Sequence, residues 1–254
     1  MAETALVTGA SSGLGAEFAR QLGARGYELI LVARREERMR ELAEGLSTNA
    51  HVVSCDLAND AASLPGKIGQ LGVDVDLLVN NAGFGTYGRF TEIPQGRDAE
   101  MVRVNCEAVI VLTRAFLPAM LERGRGGVIV VASSAGLQPL PYEAAYAASK
   151  AFALTFSEGL SAELHGSGVK ATAVSPGPVP TEWQQIAGDL KGTERIPGAT
   201  IEARQAVEES LRAFDRGKRS VIPGRTMRWF IRATRPSPRA IQLRVAERMY
   251  RPRG

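Results

Sequence analysis

Short, almost continuously apolar runs alternate along nearly the whole chain with stretches whose apolar residues recur every third or fourth position. The runs are residues 4–8, 28–33, 51–55, 76–80, 127–133 and 169–174, with a later one at 220–222, and most are rich in Val, Ile and Leu. Strands apolar on both sides belong in a parallel sheet covered on both faces. Between them, Leu14, Phe18 and Leu22 fall at i, i+4 and i+8, as do Phe152, Phe156 and Leu160, so each set shares one helix face. This alternation predicts right-handed crossovers and an α/β fold: a doubly wound, mainly parallel seven-stranded sheet with helices on both faces. No repeat or low-complexity linker interrupts residues 1–224, which read as a single domain.

With 254 residues, the chain is long enough for one substantial core. No apolar run reaches the ~18–20 residues of a membrane span, and the N-terminus leads straight into the first strand, so no signal peptide is expected. Cys55 and Cys106 are the only cysteines, and His51 and His165 the only histidines. Nothing in their spacing suggests a metal site or a disulfide framework, which makes a reducing, cytoplasmic setting the expectation. Charge is uneven. Residues 1–211 carry 18 basic and 25 acidic side chains, whereas residues 212–254 carry 13 basic ones against only Asp215 and Glu247.

The first strand runs into Gly9-Ala10-Ser11-Ser12-Gly13-Leu14-Gly15 and then a helix. Glycines here let the chain turn, let backbone N–H groups approach a pyrophosphate and let helix pack close to strand. The helix N-terminus adds partial positive charge toward the phosphates. Together they predict a Rossmann-like dinucleotide site. After the second strand comes Ala33-Arg34-Arg35, with Ala33 where an acid selecting NAD would stand. Arg34 suits a 2′-phosphate and can stack on adenine, and Arg35 follows it, so NADP(H) is the expected cofactor. Solvated arginines opening a helix are the plainer alternative.

Tyr146-Ala147-Ala148-Ser149-Lys150 opens a helical stretch, and spacing by four puts the phenol and the amine on one face. A tyrosine near its usual pKa of ~10 relays protons poorly at neutral pH, and a neighbouring ammonium stabilises the phenolate. Thirteen residues upstream, Ser133-Ser134-Ala135-Gly136 closes the fifth strand.

The glycine spacing, Asn80-Asn81-Ala82-Gly83 after the fourth strand and the Tyr146/Lys150 pair resemble the short-chain dehydrogenase/reductase family in its classical branch. The resemblance covers about residues 4–222. It implies a catalytic set of Asn105, Ser133, Tyr146 and Lys150. Ser133 rather than Ser134 would grip the substrate oxygen, and the backbone of Asn105 would hold a water that continues the proton path. It further implies that Asp56, with Leu57 beside it, contacts adenine, although Asp56 can equally cap a helix. Asn80, Ala82 and Gly83 would support the cofactor, and Pro176, Gly177, Val179 and Thr181 would fix the nicotinamide carboxamide. The expected reaction is reduction of a ketone or aldehyde to an alcohol, or its reverse.

Residues 182–200 would close over substrate, with Phe84, Leu137, Leu140 and Trp183 lining a pocket for an apolar carbonyl compound; a loop packing its own hydrophobes is the alternative. The family pairs helices around 100–121 and 146–164 between subunits, which implies a homodimer or homotetramer. Residues 225–254 form a basic amphipathic tail. It could cover a neighbouring subunit or the active-site mouth, or lie on an anionic membrane, while no nucleic-acid recognition motif accompanies it. A non-catalytic NADP(H)-binding regulator of the same fold is the rival function, and it would tolerate loss of Ser133, Tyr146 or Lys150.

Overall fold

In the computed structural model, which describes residues 2–182 and 196–252, the seven apolar runs form seven strands. These are β1 (Thr4–Thr8), β2 (Glu28–Ala33), β3 (Ala50–Ser54), β4 (Leu77–Asn80), β5 (Gly126–Val131), β6 (Val169–Val174) and β7 (Ser220–Val221). All pair in parallel, in the order β3-β2-β1-β4-β5-β6-β7. The order reverses between β1 and β4, which opens a crevice beyond the carboxyl ends of the strands, where ligands of such sheets bind.

Side chains along each strand alternate between two cores. Leu6, Leu78, Val128 and Val130 face one side, packed by α3 (Leu64–Gly69), α5 (Ala108–Glu122) and α6 (Ala144–Glu163). Val7, Val79, Ile129 and Val131 face the other, where Phe18 and Leu22 of α1 (Gly13–Ala24) meet Val207 and Leu211 of α7 (Ala203–Asp215). Met39 of α2 (Glu36–Glu44) completes that second core.

Four strands differ from the expectation, among them β4, which starts at Leu77 rather than at 76. β3 spans Ala50–Ser54, one residue earlier than the run 51–55, and β7 stops at Val221. β5 ends at Val131 rather than at 133, because Ser133 leaves the ladder to cap a 3-10 turn at Ser134–Leu137. A continuous helical stretch, Arg97–Glu122, is by length and composition apolar enough to cross a membrane. It was not visible as an apolar run because Arg103, Glu107 and Arg114 interrupt it. Here it packs on the sheet through Ala108, Val109, Leu112 and Met120.

The basic tail folds into α8 (Arg225–Thr234) and α9 (Arg239–Tyr250). Met227 and Ile231 of α8 pack on Ala199, and Ala246 of α9 packs among Phe84, Met101, Leu140 and Tyr146. Both helices lie against the crevice. A Cβ on Gly177 would come within 3.0 Å of Met227, so the bare backbone there is what lets α8 approach.

Candidate active site

A cavity of about 550 Å³ fills the crevice. Of the residues expected to bind cofactor or substrate, Gly9, Ser11, Ser12, Gly13, Leu14, Arg34, Arg35, Asp56, Leu57, Ala82 and Gly83 line it. So do Ser133, Tyr146, Lys150, Pro176, Gly177, Val179 and Thr181. Gly15, Asn80 and Asn105 stand behind the wall.

At the nucleotide end, Gly9 (φ +67°) and Gly13 (φ +55°) adopt left-handed conformations that side chains disfavour. A Cβ on Gly15 would lie 2.2 Å from the Gly9 carbonyl oxygen, so the close packing of α1 on the turn depends on its absence. Asn81, quoted in the Asn80–Gly83 motif without a role of its own, fastens this turn: its Nδ2 donates to the Thr8 carbonyl at 2.8 Å, and its N–H donates to the Thr8 hydroxyl at 2.9 Å. Asn80 instead donates to Thr113 of α5 at 3.1 Å and ties the sheet to that helix. Asp56 accepts from the Ala58 N–H at 3.1 Å and from Asn59 at 2.8 Å while also lining the cavity; it closes a turn rather than capping a helix, which starts only at Ala61 after Asp60.

Arg34 and Arg35 diverge. The Arg34 guanidinium is 61% exposed and lies 3.7 Å from Glu100. Arg35 reaches back over the glycine loop and donates to Ser12 Oγ at 2.9 Å and Ser11 Oγ at 3.2 Å. Its other nitrogen donates to Glu182 at 2.8 Å, and Arg38 donates to the second oxygen of that carboxylate. Hydrogen bonds from both arginines hold the Glu182 carboxyl below its ordinary range. Two guanidiniums meet on one carboxylate, and one of them is held over the loop by the Ser11 and Ser12 hydroxyls, so these residues make an anion cradle that fits a phosphate. Arg38 was missed from sequence because it sits one helical turn beyond the strand end.

At the chemical end, α6 begins just after Glu143 and carries Tyr146 and Lys150 on its buried face. Gly136 presses on it: a Cβ there would meet the Lys150 carbonyl carbon at 2.5 Å. This contact sets the Ser133 turn beside Tyr146. Burial pushes the Tyr146 phenol up, a hydrogen bond from the Ser133 side chain draws it down, and the nearby Glu143 and Tyr250 raise it again. The expected lowering by the Lys150 ammonium is not what governs the phenol, because in this enclosed site desolvation wins. Lys150 Nζ donates to the Val131 carbonyl at 2.9 Å, and burial lowers its pKa to about 8. The hydrogen bond to Tyr146 belongs to Ser133, while the backbone N–H of Ser134 donates to Pro176.

Asn105 lies in a π turn, Arg103–Glu107, where the helix between α4 (Arg97–Val102) and α5 widens. Its side chain is fully committed: Oδ1 accepts from Phe84 N–H, and Nδ2 donates to Phe84 O at 3.0 Å and Ser149 Oγ at 2.9 Å. Any relay through this residue falls to backbone displaced by the π turn. Gly83 lies between, since a Cβ there would sit 2.8 Å from Asn105 Oδ1 and 3.0 Å from Lys150 Nζ.

Phe84 and Leu140 line the cavity as expected, with Arg97 stacked 4.0 Å from the centroid of the Phe84 ring. Leu137 packs instead with the α8 cluster, and Trp183 lies outside the described residues, as does most of the segment expected to close over substrate. The tail takes one of the placements left open from sequence, the cavity mouth, which Met227, Phe230 and Ile231 of α8 and Tyr250 of α9 complete. Tyr87 donates to the Tyr250 carbonyl at 3.0 Å, and Tyr142 donates to Glu247 at 3.3 Å. Tyr142 is the only non-glycine residue at positive φ (+67°) among those described. Glu143, buried and lining the cavity three residues before Tyr146, was also overlooked because a single acid in a loop carries no pattern. Among the described residues no cluster of His, Cys, Asp and Glu could hold a metal.

The sequence model of the family described as short chain dehydrogenase matches residues 3–190. Dehydrogenase/reductase SDR family member 7B of Rattus norvegicus is 35% identical over 223 residues, 83% of this chain and 69% of that one. The NADP-dependent 3-hydroxy acid dehydrogenase YdfG of Salmonella typhi is 37% identical over 210 residues, 80% of this chain and 82% of that one. A short-chain dehydrogenase from Sphingobium yanoikuyae, solved in complex with NADPH, superposes with a TM-score of 0.80 at 31% identity, over 92% of this chain and 93% of its own. The bulky-bulky ketone specific alcohol dehydrogenase from Comamonas testosteroni superposes with a TM-score of 0.76 at 30% identity, over 98% and 99%.

Proposed function

Because the chain belongs to the short-chain dehydrogenase family, we propose that this oxidoreductase uses NADP(H) to reduce an apolar ketone or aldehyde to an alcohol, or to run the reverse. The observation that carries the reading is the convergence of Ser133, Tyr146 and Lys150 in one apolar-walled cavity that continues to the Arg35 cradle. NADPH, when bound, supplies the hydride. The Arg35 and Arg38 guanidiniums with the Ser11 and Ser12 hydroxyls would hold its 2′-phosphate, the glycine loop its pyrophosphate, and Thr181 its carboxamide.

Ser133 donates a hydrogen bond to the substrate oxygen and stabilises charge as it develops there. Tyr146, whose phenol burial keeps protonated across the neutral range, gives its proton to that oxygen. Lys150, with a pKa near 8, sits one helical turn from the phenol and can return a proton toward it. The π-turn backbone at Asn105 lies behind Lys150 and offers a path to solvent. Phe84, Leu140, Met227 and Phe230 exclude water around the carbonyl. In oxidation the same groups act in reverse.

The reading also includes a homo-oligomer, supported by the exposed Val102, Ile110 and Leu121 along the helices between 97 and 122. The free thiols of Cys55 and Cys106 suit a reducing, cytoplasmic setting. A screen of NADPH oxidation over ketones of graded size, with Tyr146→Phe as control, tests the proposal. Substrate-dependent turnover by the native chain that the variant lacks supports it. Turnover that persists unchanged in the variant overturns it.

A further inference from the structure

We propose that the outward face of α8 and α9 docks on an anionic lipid bilayer. Three large hydrophobic side chains stand in solvent there: Trp229 (64% exposed), Ile241 (55%) and Val245 (50%). Arginines surround them. Arg228 pairs with Glu209 and Arg251 with Glu247. Arg225, Arg232, Arg235, Arg239, Arg244 and Arg248 form no ion pair with any described residue.

Helical spacing sorts these residues onto shared faces. Arg225, Trp229 and Arg232 fall at i, i+4 and i+7 on α8, with the Arg232 guanidinium 6.0 Å from the Trp229 ring centroid. Ile241, Arg244, Val245 and Arg248 fall at i, i+3, i+4 and i+7 on α9. The opposite faces, through Met227, Ile231 and Ala246, are the ones buried against the active site.

The chemistry selects the occupant. A bilayer surface offers phosphates to the guanidiniums and an apolar layer just beneath to the Trp, Ile and Val side chains. A polyanion alone would leave those hydrophobes in water. A second copy docked through the same face would oppose its arginines to their own image. Because the inner faces of these helices wall the cavity mouth, docking would bring that mouth to the lipid surface. That consequence for substrate supply rests on the proposed reaction; the docking itself does not.

The test is co-sedimentation of the full chain with vesicles of phosphatidylcholine alone or mixed with phosphatidylglycerol, each at low and high salt. Binding is expected to the mixed vesicles at low salt and to weaken as salt is added. Arg244→Gln with Arg248→Gln should weaken it about 30-fold, the usual contribution of two surface arginines. Trp229→Ser with Ile241→Ser should also release the protein, with NADPH affinity by fluorescence titration kept as the check on folding. Equal binding to both vesicle types, no binding to either, or unchanged binding by both variants overturns the proposal. So does a Trp229→Ser/Ile241→Ser variant that only breaks an oligomer on size exclusion, or retention of the native chain by duplex DNA in place of vesicles.

Discussion

The Glu182 carboxylate lies 2.8 Å from the Arg35 guanidinium, on the cluster of serines and arginines that would receive a 2′-phosphate. Glu182 directly follows Thr181, whose side chain would stand 3.2 Å from a Cβ on Gly13, so the chain reaches Arg35 by passing over the glycine loop. Carboxylate and phosphate would compete for the same donors. Glu182→Gln should therefore tighten NADPH binding severalfold while leaving NADH affinity nearly unchanged, as read by quenching or calorimetric titration. Weaker NADPH binding in the variant would instead make the carboxylate a strap over the bound nucleotide.

Arg35 and Arg34 should separate in the same assay. Arg35 touches Ser11, Ser12 and Glu182, whereas Arg34 leans toward Glu100 and solvent. Arg35→Ala should weaken NADPH binding by about tenfold or more, since hydrogen bonds to charged groups contribute ~1.5–3 kcal/mol. Arg34→Ala should cost less. The sequence points to Arg34 for the 2′-phosphate, and the structure places Arg35 there instead, because which of two adjacent arginines turns toward the loop depends on where α2 starts.

Buried Lys150 makes both activity and stability depend on pH. Its folded pKa of about 8 lies below its ordinary 10.5, so the unfolded chain binds the additional proton between those values. Stability contributed through this group therefore rises with pH from about 8 towards 10.5 and is lowest below that window. Lys150→Met should be more stable than the native chain at pH 7, and the gap in thermal midpoint should close as pH rises. Reduction should fall above about pH 8 as Lys150 loses its charge, while the raised Tyr146 phenol stays protonated there. A rate that falls only above pH 10 would show that the charge on Lys150 is unnecessary.

Gly83 and Gly136 predict contrasting defects. Added methyl groups would meet side-chain ends at Gly83, namely Asn105 Oδ1 and Lys150 Nζ, but backbone of α6 at Gly136. Gly83→Ala should lose turnover by about tenfold or more, since small misplacements of catalytic groups are costly, with a smaller loss of stability than a backbone clash brings. Gly136→Ala should lower the thermal midpoint, with a destabilisation on the order of 1–3 kcal/mol.

The parts of this protein that repeat a period or a fixed spacing were legible before any coordinates. The apolar runs gave all seven strands, and the spacing of Tyr146, Lys150 and Ser133 picked out three residues that line one cavity. Where reading failed, long-range packing decided the outcome. The end of β5 depends on Ser133 turning to cap, and the tyrosine pKa depends on how tightly the site closes around it. Tyr250 is more than a hundred residues from Tyr146, and no local pattern announces that Ala246 and Tyr250 pack beside it.

Tyr250 should therefore act on substrate rather than on cofactor. It lines the cavity, influences the Tyr146 phenol and is tied down through its own carbonyl by Tyr87, with Tyr142 holding Glu247 one turn earlier. The nucleotide cradle of Arg35, Ser11 and Ser12 lies at the other end of the crevice. Tyr250→Ala removes the ring while keeping the backbone carbonyl that Tyr87 grips, so α9 should remain docked. KM for bulky ketones should change by several-fold, in the direction set by whether the ring stacks on substrate or crowds it, while NADPH affinity stays within about twofold, as expected for sites that share no partners. Tyr87→Phe, which loosens the end of α9 without touching the cavity wall, should shift KM the same way but less. If both variants kept native KM across the ketone series, the tail would be only a cover for the core, with no part in choosing substrate.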